Sequence, residues 1–99
     1  MSADAGPILA ILDQHWRPRM FLPLRQDWHQ LLRHLLADEG SWVALIQHRR
    51  QEETPLPRPA DIALTRALTR SLRPLDLRLA DHVIHAGTAR FSFRGAGLL

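Results

Sequence analysis

Ser41-Trp42-Val43-Ala44-Leu45-Ile46-Gln47 is a nearly unbroken apolar run, too short for a typical helix and rich in β-formers. Such a run reads as a central strand covered on both faces. On its amino-terminal side, Trp28, Leu31, Leu32, Leu35 and Leu36 recur at the spacing of one helical face, while His29, Gln30, Arg33 and His34 take the other. Asp27 is the natural N-cap of that helix, and Gly40 the residue just past its end. On the carboxyl side, His48-Arg49-Arg50 opens a polar loop through Pro55 and Pro57 to Pro59, which suits the first turn of a second helix.

The second helix is predicted to run to about Arg73, with Leu64, Leu68 and Leu72 on one side and Arg66, Arg70 and Arg73 on the opposite side. Pro74 stops it. Residues 77–86 and 89–93 read as two strands joined through Gly87-Thr88. Before the first helix, residues 8–12 and 20–24 read as a strand and an edge segment, since Pro23 lacks a ladder donor. The order is strand, edge segment, helix, central strand, loop, helix, hairpin. This predicts an α/β fold with helices packed on a mixed β-sheet.

The 99 residues suit one domain, 1–99, and a composition of 45% hydrophobic and 23% charged residues suits a globular core rather than disorder. No cysteine is present, which removes disulfide frameworks, thiolate metal sites and thiol catalysis. All 13 basic residues are arginine against 10 acidic ones, and a net charge of +3 is weak grounds for nucleic acid as a partner. No apolar stretch near the start approaches membrane-spanning length, so the expectation is a cytoplasmic protein with no membrane partner.

Six histidines invite a search for metal ligands. His29 and His34 are five apart on a helix and diverge, His82 and His85 are three apart on a strand and face opposite sides, and His15 has no evident companion. His48 differs, because it follows the central strand at its carboxyl end, where α/β sheets present ligands. Arg50, two residues on, would share its side if the strand continued. Asp61, thirteen residues after His48, falls on the same helical arc as Leu64, Leu68 and Leu72, so its carboxylate should face the sheet and need a partner. The plain alternative for Asp61 is an acid placed against the helix dipole.

The run from His48 to Asp61 with Ile62-Ala63-Leu64-Thr65-Arg66, then Leu75-Asp76-Leu77-Arg78-Leu79-Ala80-Asp81-His82-Val83-Ile84-His85 and Phe91-Ser92-Phe93-Arg94-Gly95-Ala96-Gly97-Leu98-Leu99, resembles the carboxyl-terminal JAB (MPN) domain of RadC proteins. Residues 25–99 carry the match, and residues 1–24 fit only as a shortened hairpin. Nothing in the chain corresponds to the helix-hairpin-helix region that precedes this domain in RadC proteins. The resemblance implies a truncated JAB/MPN, cytidine deaminase-like, architecture.

Members with an intact site carry His-x-His-Pro-x-Gly-x-x-x-Pro-Ser-x-x-Asp, in which the two histidines and the aspartate bind zinc and an upstream glutamate is the general base. Aligned without gaps, His48, Pro57 and Asp61 match this pattern. Arg50 stands for the second histidine, Gln51 for the proline, Glu53 for the glycine and Arg58 for the serine. No glutamate precedes Glu39. An arginine cannot deprotonate to become a ligand. Its charge about 4 Å from a dication costs roughly 8 kcal/mol before screening at an effective dielectric near 20.

The expectation is that Arg50 replaces the metal and pairs with Asp61, with His48 and Asp61 as remnant ligands and no cofactor bound. The function implied is a catalytically inactive binding or structural module, with a protein or peptide ligand. The alternatives are a residual zinc-dependent metallopeptidase or isopeptidase, with Glu52 or Glu53 as substitute ligand or base, and a DNA-associated protein contacting DNA through Arg66, Arg70 and Arg73. RadC proteins carry a DNA-repair label.

Overall fold

The structure is a computed structural model, and it describes residues 6–24, 27–37 and 42–99. Five strands and two helices follow one another as β1 (Ile8–Leu12), β2 (Pro18–Pro23), α1 (Trp28–Ala37), β3 (Trp42–Arg49), α2 (Pro59–Leu72), β4 (Arg78–Ala86) and β5 (Ala89–Ser92). One turn of 3-10 helix, Arg73–Leu75, closes α2 where Pro74 removes the next donor. No described helix is long and apolar enough to cross a membrane.

The strands form one mixed sheet in the order β2-β1-β3-β4-β5. β3 pairs antiparallel with β1 and parallel with β4, so α2 serves as the crossover between the two parallel strands. β2 is an edge strand, and Pro18 and Pro23 lie at its two ends. At the other edge β4 turns into β5 through Gly87, whose φ of 61° is one that glycine adopts without strain.

Both helices lie on the same face of the sheet. Leu31 and Leu35 of α1 and Leu68 and Leu72 of α2 pack with Leu9, Ile11, Val43, Leu45 and Leu79 into one buried cluster. Leu36, which the helical spacing placed on the apolar face of α1, is 63% exposed. Asp27 caps α1 as expected, its carboxylate accepting the His29 N–H at 3.1 Å. Gly40 and the side chains of Trp28 and Leu32 lie outside the described residues.

The other face is not covered as the sequence suggests. Trp42, Ala44 and Ile46 are half-buried there, packed on Ala10, Leu12 and Ala80. A turn at Asp13, whose carboxylate accepts the N–H groups of His15 and Arg17, holds Trp16 in left-handed backbone and sets its ring edge-on to Trp42 at 5.2 Å. The expected strand of residues 41–47 also extends two residues further, through Arg49, because the ladder to β4 continues to His48↔His85 and Arg49↔Ala86.

Candidate functional site

Alternation along β3 sends Val43, Leu45, Gln47 and Arg49 toward the helices, and Trp42, Ala44, Ile46 and His48 to the open side. The first two of the helix-facing set are core. The last two are polar and project over the amino-terminal end of α2. There Asp61, the third residue of that helix, accepts the Arg58 N–H at 2.7 Å, half of a capping box, and points back at the sheet.

Arg49 donates from Nη2 to Asp61 Oδ2, while its Nη1 binds the carbonyl oxygens of Leu56 at 2.8 Å and Thr54 at 3.1 Å. One guanidinium thus ties the proline-rich loop and α2 to the strand. Gln47 donates from Nε2 to Asp61 Oδ1 at 3.4 Å. With its amide nitrogen so directed, the Gln47 oxygen faces His82 Nε2, which must carry the ring proton. His82 Nδ1 lies 2.5 Å from Thr65 Oγ1, and that hydroxyl is also 3.0 Å from the Asp61 carbonyl. Phe93 stacks on the far side of the imidazole at 4.3 Å. Asp61, Thr65 and His82 are buried between α2 and the sheet, and Gln47 and Arg49 are half-buried at the edge of the cluster.

Burial pushes the Asp61 carboxyl up, but the Arg58 N–H, the Arg49 guanidinium and the Gln47 amide pull harder, and it is held below its ordinary value of 3.8. Burial depresses His82 to about 4, against the opposing pull of Asp61 and Asp81 and with a small push from Arg49. At neutral pH the site therefore holds a carboxylate, a guanidinium and a neutral imidazole.

The residues singled out by sequence are placed differently. His48 is exposed on the open face, where its ring stacks on His85 at 5.1 Å and 16°. The His48 side chain thus leaves β3 on the face opposite the one against which α2 and Asp61 pack. Arg50 is not the partner of Asp61: the strand persists through Arg49, so Arg49 takes the inward position, and Arg50 begins the loop with its side chain exposed and its N–H on Glu53 Oε1 at 3.3 Å. The Arg58 guanidinium pairs with Glu53 at 2.7 Å, outside the Asp61 cluster. Arg66, Arg70 and Arg73 are exposed. Gln47, Arg49, Thr65 and His82 were missed by sequence reasoning. The available signals were the two-residue spacing of Gln47 and Arg49 at a strand end, and the four-residue spacing of Asp61 and Thr65 on one helical arc.

A catalytic zinc site needs three deprotonated protein donors and an open position. Here the one carboxylate is already bound by a guanidinium, a backbone N–H and an amide, and His82 directs a protonated nitrogen at Gln47. Among the described residues no group of three His, Cys, Asp or Glu side chains is placed to hold a metal ion. The residues present do not fit zinc. A cavity of about 200 Å³ at the end of β3 is lined by Gln47, His48, Arg49, Glu53, Arg58 and Asp61 among others, and both of its arginines are engaged in ion pairs.

A family model for the RadC-like JAB domain matches residues 26–98. A UPF0758 protein of Psychrobacter sp. (strain PRwf-1) is 38% identical over 64 residues, which is 65% of this chain and 28% of the relative. One from Herminiimonas arsenicoxydans is 38% identical over 55 residues, 56% of this chain and 25% of the relative. One from Bordetella pertussis (strain Tohama I / ATCC BAA-589 / NCTC 13251) is 36% identical over 75 residues, 76% of this chain and 31% of the relative. The chain therefore spans between a quarter and a third of the length of these relatives.

Proposed function

Because the chain belongs to the RadC-like JAB domain family, we propose that it forms a catalytically inactive domain of that family, serving as a binding or structural module, in which an arginine has taken the seat of the metal. The observation that carries this reading is the saturation of Asp61 by Arg49, Gln47 and the Arg58 N–H. In the family pattern two residues, two apart, face the aspartate. Gln47 and Arg49 are the pair that does so here, one position ahead of His48 and Arg50, with one extra residue in the loop before Pro57. On this register both histidine positions are replaced, and Asp61 is the remaining ligand residue.

Replacement by arginine is chemically specific. A dication and a guanidinium both neutralise a buried carboxylate, but only the dication can take a water as a ligand and acidify it into a nucleophile near neutral pH. The fold keeps its electrostatic closure and loses the Lewis acid. A residual zinc peptidase would have to displace Arg49 from a pair buried under α2 and find two further ligands.

The test is metal analysis of protein purified without chelator, together with peptidase and isopeptidase assays in added zinc. Far less than one zinc per chain and no zinc-dependent turnover are expected. Stoichiometric zinc, or turnover abolished by Asp61→Asn, would overturn the reading.

A further inference from the structure

At the end of the sheet opposite Asp61, β4 begins, α2 ends and the carboxyl-terminal segment folds back, enclosing a cleft of about 650 Å³, some three times the volume beside Asp61. Three guanidiniums from three different elements line it: Arg73 after α2, Arg78 at the start of β4, and Arg94 beyond β5. Its wall also holds the indole of Trp42 and a single acidic side chain, Asp76.

None of the three guanidiniums forms an ion pair with a described residue. Two are held instead by groups that leave their charge uncancelled. Arg78 sits over the Trp42 ring at 5.8 Å, and Arg94 sits over Trp16 at 5.2 Å while donating to the carbonyls of Ala80 and Leu79. The dipole of α2 accounts for cations at its carboxyl end, Arg70 and Arg73, but not for Arg78 and Arg94, which come from other elements. From the same cleft Arg73, Arg70 and Arg66 continue up the exposed side of α2, spaced about one helical turn apart. The only acidic side chain of that helix, Asp61, is buried under its far end.

Positioned, unpaired guanidiniums beside an indole are a receptor for multiply charged oxyanions, because the planar donor fork matches phosphate oxygens and each added anion relieves repulsion among the cations. We propose that this cleft binds phosphate groups, either of a small free polyphosphate or of a nucleic-acid backbone that runs on along Arg70 and Arg66. The site is independent of the Asp61 cluster and of whether that cluster is catalytic.

The experiment titrates the full chain with sodium tripolyphosphate and, separately, with a single-stranded oligothymidine, following tryptophan fluorescence with calorimetry alongside. Saturable binding of at least one of them is expected, and it should weaken as salt rises. The Arg73→Gln/Arg78→Gln double variant should lose about tenfold or more in affinity, while Arg33→Gln/Arg90→Gln, the same change of charge elsewhere, should stay within about twofold. Arg94 is left in place because its backbone hydrogen bonds hold the fold. If tripolyphosphate binds as tightly as the oligonucleotide, the occupant is a free anion. If the oligonucleotide binds more tightly, and Arg66→Gln and Arg70→Gln weaken it alone, the occupant is a nucleic-acid backbone. Absence of binding at low salt, or equal loss in the two double variants, would overturn the proposal.

Discussion

Arg49 and Asp61 meet between the end of β3 and the first turn of α2 with only 6% and 8% of their side chains left in water. An ion pair this buried contributes little against an apolar replacement of both partners, yet leaving one partner alone is expensive, because its charge stays in the protein interior unpaired. Arg49→Met should therefore cost about 3 kcal/mol of folding stability, and Asp61→Asn a similar amount with the helix cap also weakened. The double variant should fall short of the sum by at least about 1 kcal/mol, measured by urea unfolding. Strict additivity would mean that the pair is not coupled.

Protonation of His82 should set the acid limit of stability. Its pKa is about 4 in the folded chain and 6.5 in its ordinary state, so between those values the unfolded chain binds more protons and stability falls as pH falls. The full loss, about 3 kcal/mol at most, is reached near pH 4. His85, also depressed by burial, by His48 and by Arg90, adds a smaller loss of the same sign. Asp61 acts lower: its carboxyl is depressed below 3.8, so its contribution is intact above that value and disappears only as pH drops through the folded value. Unfolding free energy followed from pH 7 to pH 4 should flatten in His82→Gln. An unchanged slope would assign the loss to other groups.

Gly87 joins β4 to β5 with φ of 61°, and a Cβ there would lie 2.6 Å from Gln51 Cγ. The backbone strain and the crowding act together, so Gly87→Ala should cost about 1–2 kcal/mol. Gln51→Ala in the same chain removes the Cγ clash and should recover most of the crowding part but not the strain. Thermal unfolding of the two single variants and the double variant separates these contributions, and full recovery would show that the turn itself is unstrained.

Patterns with a fixed period were legible in the sequence. The order of elements, the inward direction of Asp61 from its place beside Leu64, Leu68 and Leu72, and the opposite faces of His82 and His85 all follow from periods of 3.6 and 2. The end of β3 was not legible, because hydrophobicity stops at Ile46 whereas the strand is continued by backbone bonds to β4, about thirty residues later in the chain. That difference moved the arginine opposite Asp61 from position 50 to position 49. The register shift of β4 between Leu79 and Asp81 likewise has no sequence signature.

That one-residue shift yields a gain-of-function test. If Gln47 and Arg49 stand where the family places its histidines, Gln47→His/Arg49→His should set two imidazoles and the Asp61 carboxylate around one point and remove the opposing cation. Three such donors with an open fourth position suit zinc. One equivalent should bind, and at about a hundredfold excess over Kd it should raise Tm by roughly 10–20 °C. Arg50→His, the change that gap-free spacing recommends, should bind nothing there, because position 50 opens the loop and His48 faces the other side of the sheet. Both variants are best made with His48→Ala, so that the stacked His48 and His85 cannot supply zinc affinity of their own. His82 loses its Gln47 partner in the double variant, which lowers stability without metal and widens the gap that zinc must close. Zinc binding by Arg50→His but not by Gln47→His/Arg49→His would return the motif to the gap-free register.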